Sequence, residues 1–126
     1  MIQNITPLLA GSLLGGLAVI LGAFGAHALK KRMNPDSLAS FETGVKYQMY
    51  HAILLIALSF LPKEDILTNA INILILGTIL FSFSIYGLTL SGTFGKKIRI
   101  LGPITPIGGL CLVIGWFILF YYSLTL

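Results

Sequence analysis

Residues Pro7–Leu29 read PLLAGSLLGGLAVILGAFGAHAL, and the next three are Lys30, Lys31 and Arg32. No charged side chain stands before Lys30. A helix crossing the hydrocarbon core of a bilayer needs about 20 mainly apolar residues, and this run supplies them. An isolated strand in lipid would leave its N–H and C=O groups unpaired, so the span is helical. Working outward, the same pattern predicts further spans at about 44–61, 66–90 and 100–126. Seven of the eight Lys/Arg lie between or beside these runs in two clusters: Lys30, Lys31, Arg32 and Lys46, then Lys96, Lys97 and Arg99. Lys63 stands apart. With four spans the two cationic connectors share one side. The positive-inside rule places that side in the cytoplasm and both termini outside.

Composition agrees with this reading. The chain has 126 residues, 56% apolar and 10% charged, against about 25% charged in a soluble domain. A 13.6 kDa soluble protein with a mean hydropathy of +0.95 has too little interior to hide that much apolar surface. The expected fold is an all-α integral membrane protein: a four-transmembrane-helix bundle forming a single domain, 1–126, in a bacterial inner membrane. The net charge of +4 does not imply nucleic acid, because the basic residues flank apolar runs without interleaved aromatics. Ala26-His27-Ala28 resembles a signal-peptide cleavage site, but a basic n-region is missing and the run is too long. The single Cys111 makes no intrachain disulfide and reads as a small buried hydrophobe.

Between the first two spans, Asn34-Pro35-Asp36-Ser37 is a helix start. Asn34 can cap, Pro35 suits the first helical position, and Asp36 favours the positive end of the dipole. Leu38, Phe41, Val45 and Met49 follow at helical spacing. The expectation is a short amphipathic helix, about 35–43, lying on the interface and leading into span two. Span one carries Gly11, Gly15, Ala18, Gly22 and Ala26 as a small-residue series, which marks a helix-packing face in lipid. It is therefore expected to be the central helix, and Gly22→Leu to wedge the packing apart. In span four, Pro103 and Pro106 predict an irregular start, with Gly102–Thr105 extended and Thr105 capping a helix that opens at Pro106. Trp116, Tyr121 and Tyr122 read as interfacial aromatics of the outer end.

Polar residues inside the spans are few: His27 in span one, Tyr47, Gln48, Tyr50 and His51 in span two, Ser82, Ser84 and Tyr86 in span three. Tyr47, Gln48 and His51 share one helical face. His27 is expected at their depth, giving a His27/Tyr47/Gln48/His51 cluster below the cytoplasmic interface, with Glu42 approaching from the interfacial helix. Such a cluster either ties two helices together or handles a lipid headgroup, a small solute or protons. The spacing completes no metal site, and no hydrolase, phosphate-binding or zinc motif is present, so neither an enzyme nor a cofactor is expected.

Several segments together resemble a known family. They are Gly22-Ala23-Phe24-Gly25-Ala26-His27, Phe41-Glu42-Thr43-Gly44-Val45 with Tyr47-Gln48-Met49-Tyr50-His51, Phe81-Ser82 with Ser84-Ile85-Tyr86, Gly102-Pro103-Ile104-Thr105-Pro106-Ile107-Gly108-Gly109, and Gly115-Trp116. The chain is similar to the YgdD/YwdK family of small membrane proteins (domain of unknown function 423), which includes human transmembrane protein 256. Where that family tends to have glycine between the two serines of span three, this chain has Phe83. The resemblance implies a four-helix membrane protein and places His27, Glu42, Tyr47, Gln48, His51 and Thr105 in the family signature. It implies no activity. Two expectations follow: a helical accessory or scaffold protein that self-assembles or joins a larger membrane complex, or a lipid-, solute- or proton-binding module built on the polar cluster.

Overall fold

The computed structural model describes residues 4–126, so the first three residues of the expected 1–126 domain lie outside it. Helix α1 (Ile5–His27) is followed by a 3-10 turn (Leu29–Lys31) and α2 (Pro35–Leu58). Next come α3 (Asp65–Thr78), a π-helical turn (Ile79–Phe83) and α4 (Ser84–Phe94), which run on as one rod. A second 3-10 turn (Arg99–Leu101) leads into α5 (Ile104–Leu124). Every regular element among the described residues is helical.

The start of α2 follows directly from its sequence. Asn34 is extended (φ −65°, ψ 159°), and its side chain accepts from the Ser37 N–H at 2.8 Å. Pro35 occupies the first turn, where no N–H is needed. From there α2 is unbroken to Leu58, which corrects the expectation of a separate interfacial helix over 35–43. Gly44 does not break the helix. Its missing Cβ lets Tyr86 and Ile85 approach, since a Cβ there would stand 2.9 Å from the Tyr86 ring.

Helices α1 and α2 are antiparallel along their whole length. Gly25 lies against the Phe41 ring, and Gly11 lies against the backbone of Ala52, where a Cβ would come within 2.7 Å of the carbonyl oxygen. The buried face of α1 is Pro7, Gly11, Leu14, Ala18 and Gly25. Gly15 and Gly22 are only half-buried and Ala26 is exposed, so the face departs from the expected small-residue series. A Cβ on Gly22 would meet only Val45, at an ordinary 3.5 Å. Nor is α1 central: it packs on α2, and of the apolar helices the α3–α4 rod is the most enclosed.

On the other flank α5 packs along α3 and the π turn. Gly108 sits directly on the backbone of Leu80 and Phe81. Both prolines at the head of α5 fit a regular start. Gly102 and Pro103 are already in right-handed helical conformation, and Pro106 falls where the helix needs no N–H. The stretch Gly102–Thr105 is therefore helical rather than extended, and Thr105 lies inside the first turn instead of capping it.

Apolar side chains gather in two groups. One comprises Leu14, Ala52, Leu55, Leu58, Leu67, Ile71, Leu74, Leu112 and Tyr122. The other, nearer the lysines, comprises Leu29, Met33, Phe41 and Tyr86. Tyr122 belongs to this core and not to an exposed aromatic belt, while Trp116 and Tyr121 are exposed. The two cationic connectors meet: the Arg32 guanidinium lies 5.7 Å from the Phe94 ring centroid. Three segments, Ile5–Lys31, Asp65–Phe94 and Arg99–Leu124, are long and apolar enough to cross a membrane. The more polar α2 carries Asp36, Glu42, Lys46, Gln48 and His51 along its length.

Candidate functional site: a sealed polar belt and an open cleft

Between the two apolar groups lies a belt of hydrogen bonds that links α1, α2, the π turn, α4 and α5. Gln48 is fully buried. Its Nε2 donates to the Leu14 carbonyl of α1 at 2.7 Å, and its Oε1 accepts from the Tyr86 hydroxyl of α4 at 2.6 Å. Ser82, in the π turn, donates to the Gly44 carbonyl of α2 at 2.7 Å. The Trp116 indole N–H of α5 donates to His51 Nε2 at 3.1 Å, and His51 Nδ1 lies 2.7 Å from the Tyr47 carbonyl. A carbonyl can only accept, so Nδ1 carries the proton and Nε2 accepts. Both nitrogens of a neutral His51 are thereby occupied. Ser84 donates to the Phe81 carbonyl at 2.9 Å, which leaves Thr105 of α5 to donate to the Ser84 oxygen at 2.6 Å.

The predicted cluster is brought together only in part. Gln48 and His51 sit in the belt. Tyr47 is exposed beside them, stacked on Phe81 at a centroid distance of 4.9 Å. His27 is exposed at the end of α1. It is 13 residues from Leu14, the residue Gln48 contacts, which at 1.5 Å per residue is about 20 Å along the helix. The shared depth fails because α2 is one continuous helix from Pro35, so that Tyr47 already stands about 18 Å along it from its start at the lysine-rich end. Glu42 is also outside the belt. It lines a shallow groove of about 350 Å³ with Gly22, Gly25, Lys30 and Lys46.

The residues that sequence reading missed form a cleft of about 440 Å³ at the lysine-rich end. One wall is the α2 face carrying Asp36, Ser37, Ser40 and Thr43, spaced so that a single side of the helix presents them. The other wall is Ile85, Leu88 and Thr89 of α4, closed by Lys97, Gly102 and Thr105. Its volume falls within the roughly 300–1,000 Å³ of small-molecule sites. The available signal was the run of hydroxyls following Asp36 at helical intervals. Of the predicted site residues, Thr105 alone borders this cleft.

The family described as protein of unknown function DUF423 matches residues 21–109, which include the cleft and all of the belt except Leu14 and Trp116. This chain belongs to that family. Its relatives carry the name UPF0382 membrane protein. One from Schizosaccharomyces pombe is 43% identical over 106 residues, covering 83% of this chain and 90% of the relative. YwdK of Bacillus subtilis is 39% identical over 113 residues, covering 86% and 88%. A Haemophilus influenzae relative is 37% identical over 114 residues, covering 89% and 88%. No solved structure matches the chain. The UPF0382 chain is thus a membrane protein of a family without an assigned activity, and its helices provide for a lipid bilayer environment.

Proposed function

We propose that this UPF0382 protein is a four-span membrane protein that binds a small polar or amphiphilic molecule in the cleft at its lysine-rich end. The observation that carries this reading is the contrast in wiring. The belt side chains have partners on neighbouring helices, whereas the cleft gathers five hydroxyl residues, of which Thr105 alone bonds to another helix, with a carboxylate and an ammonium around open volume. The role is binding and not catalysis, because the cleft holds one carboxylate and no nucleophile paired with a base. Proton handling by His51 is disfavoured, since either ring nitrogen must give up a hydrogen bond to act.

The fourth span in this reading is α2. It lies beside α1 from Phe41, level with Gly25, to Ser59, whose carbonyl accepts from the Asn4 N–H at 3.1 Å. If α1 crosses the bilayer, α2 crosses with it. Its polar side chains do not oppose this, because Gln48 and His51 are buried and paired and the charged ones lie towards the lysine-rich end. That end faces the cytoplasm by the positive-inside rule. Mass spectrometry of protein extracted with its native lipids tests the binding role. The expected result is a small molecule retained by the wild type and lost on combining Thr43→Val with Thr89→Val. A wild type that retains nothing contradicts it.

A second reading, assembly with itself or a larger complex, draws on the outer face of α1. There Ser12 and Gly16 are exposed, and a Cβ on Gly16 would meet nothing within 4 Å. Small residues four apart suit close helix approach in lipid. Native mass spectrometry in nanodiscs should then show oligomers that Gly16→Leu dissociates; a strictly monomeric wild type removes this reading.

A further inference from the structure

We infer that the cleft selects a headgroup bearing a primary ammonium a few atoms from an anionic group, the chemistry of phosphoethanolamine. This rests on the binding role proposed above and goes further by naming the ligand class. The inference comes from where the hydroxyl protons already point. Thr43 donates its proton to the Ala39 carbonyl at 3.0 Å, and Thr89 donates to the Ile85 carbonyl at 2.8 Å. Thr105 donates to Ser84, whose own proton lies on Phe81. These three oxygens, drawn from α2, α4 and α5, can therefore offer the cleft only lone pairs. With the Asp36 carboxylate they make a surface rich in acceptors.

Such a surface calls for a ligand with several N–H donors and a positive charge. A primary ammonium carries three donors, whereas a trimethylated one carries none. Lys97 lines the same cleft and supplies the opposite pole, a point charge suited to phosphate. The hydroxyls of Ser37 and Ser40 line the α2 wall beside Thr43. Ile85 and Leu88 give the carbon skeleton an apolar wall. A ligand with one pole would leave either Asp36 or Lys97 without its counter-charge. The site lies where the two cationic connectors meet, at the level of a bilayer headgroup in the proposed threading. An aminophospholipid is therefore the natural source, and a free phosphoethanolamine ester the other.

The test uses the full chain in nanodiscs of a neutral synthetic lipid, with native mass spectrometry of bound phosphatidylethanolamine, phosphatidylcholine and phosphatidylglycerol. Soluble glycerophosphoethanolamine is the fourth arm. The expected result is binding of phosphatidylethanolamine about tenfold tighter than of the other two lipids, a ratio equivalent to one charge-assisted contact. Asp36→Asn should abolish the preference over phosphatidylcholine, and Lys97→Met should weaken all three lipids together. Competition by glycerophosphoethanolamine at equal affinity identifies a free solute as the source, and its failure identifies the lipid; either supports the shared chemistry. Equal binding of all three lipids, displaced by Thr43→Val with Thr89→Val, overturns the two-pole inference and leaves the cleft as a binding site. Binding of none of the four overturns both. Melting curves of each variant without ligand, unchanged from wild type, exclude misfolding as the cause of any loss.

Discussion

The belt around Gln48 and the cleft beside Asp36 are both polar, both built on α2, and only a few turns apart, yet they are wired in opposite ways. In the belt, Gln48, Ser82, His51 and Tyr86 bond across to a neighbouring helix. In the cleft, Thr43 and Thr89 bond back to their own helix although both line open volume. A polar group within a bilayer is costly unless paired, so its presence alone does not distinguish structure from function. Saturation does. The belt ties neighbouring helices together, and the cleft is left open for the ligand proposed above.

The difference can be broken hardest at the sealed side. Gly108 presses on the backbone of Leu80 and Phe81, which cannot swing aside as a side chain can. Gly108→Ala is expected to destabilise by about 3 kcal/mol, read as a fall in the unfolding midpoint in a detergent titration. Gln48→Leu comes next. It removes two interhelical bonds and strands the buried Tyr86 hydroxyl, at a cost of about 2 kcal/mol in the same titration. Trp116→Phe deletes only the indole bond to His51 and should cost about 0.6 kcal/mol. Asp36→Asn, at the first turn of α2, should cost less than about 0.5 kcal/mol, since only a screened dipole interaction is lost. If Asp36→Asn proved as damaging as Gln48→Leu, the division between belt and cleft would dissolve.

Small residues on α1 sharpen the same point. The small-residue series through Ala18, Gly22 and Ala26 marked Gly22 as a packing position, but the helix turns so that Gly25, not Gly22, meets the Phe41 ring. Substituting Gly22 with alanine should be nearly neutral, and Gly11→Ala, against the Ala52 carbonyl, clearly destabilising. Much else was legible. Asn34 caps α2 as its sequence demanded, and the apolar runs of α1, α3–α4 and α5 follow from length and hydropathy. What sequence reading could not supply was the continuity of α2 from Pro35 to Leu58. Leu38, Phe41 and Val45 recur at the same spacing whether a helix lies flat on the interface or stands upright, so the depths of His27 and His51 were set equal when they are not. The π turn at Ile79–Phe83 has no proline or charge to announce it; it is visible only once Gly108 is seen against its backbone. The hydroxyls at Ser40 and Thr43 gave a periodic signal, but their meaning depends on α4 and α5 arriving opposite them.

The most direct measurement is the melting temperature of Gln48→Leu and Asp36→Asn, each with and without phosphatidylethanolamine in the nanodisc. The expected pattern is crossed. Gln48→Leu melts lower on its own but keeps the lipid-induced rise, and Asp36→Asn melts like wild type but loses it. A Gln48→Leu protein of unchanged stability that no longer responds to lipid, beside an Asp36→Asn protein that still does, would show that the belt is the site and the cleft is not.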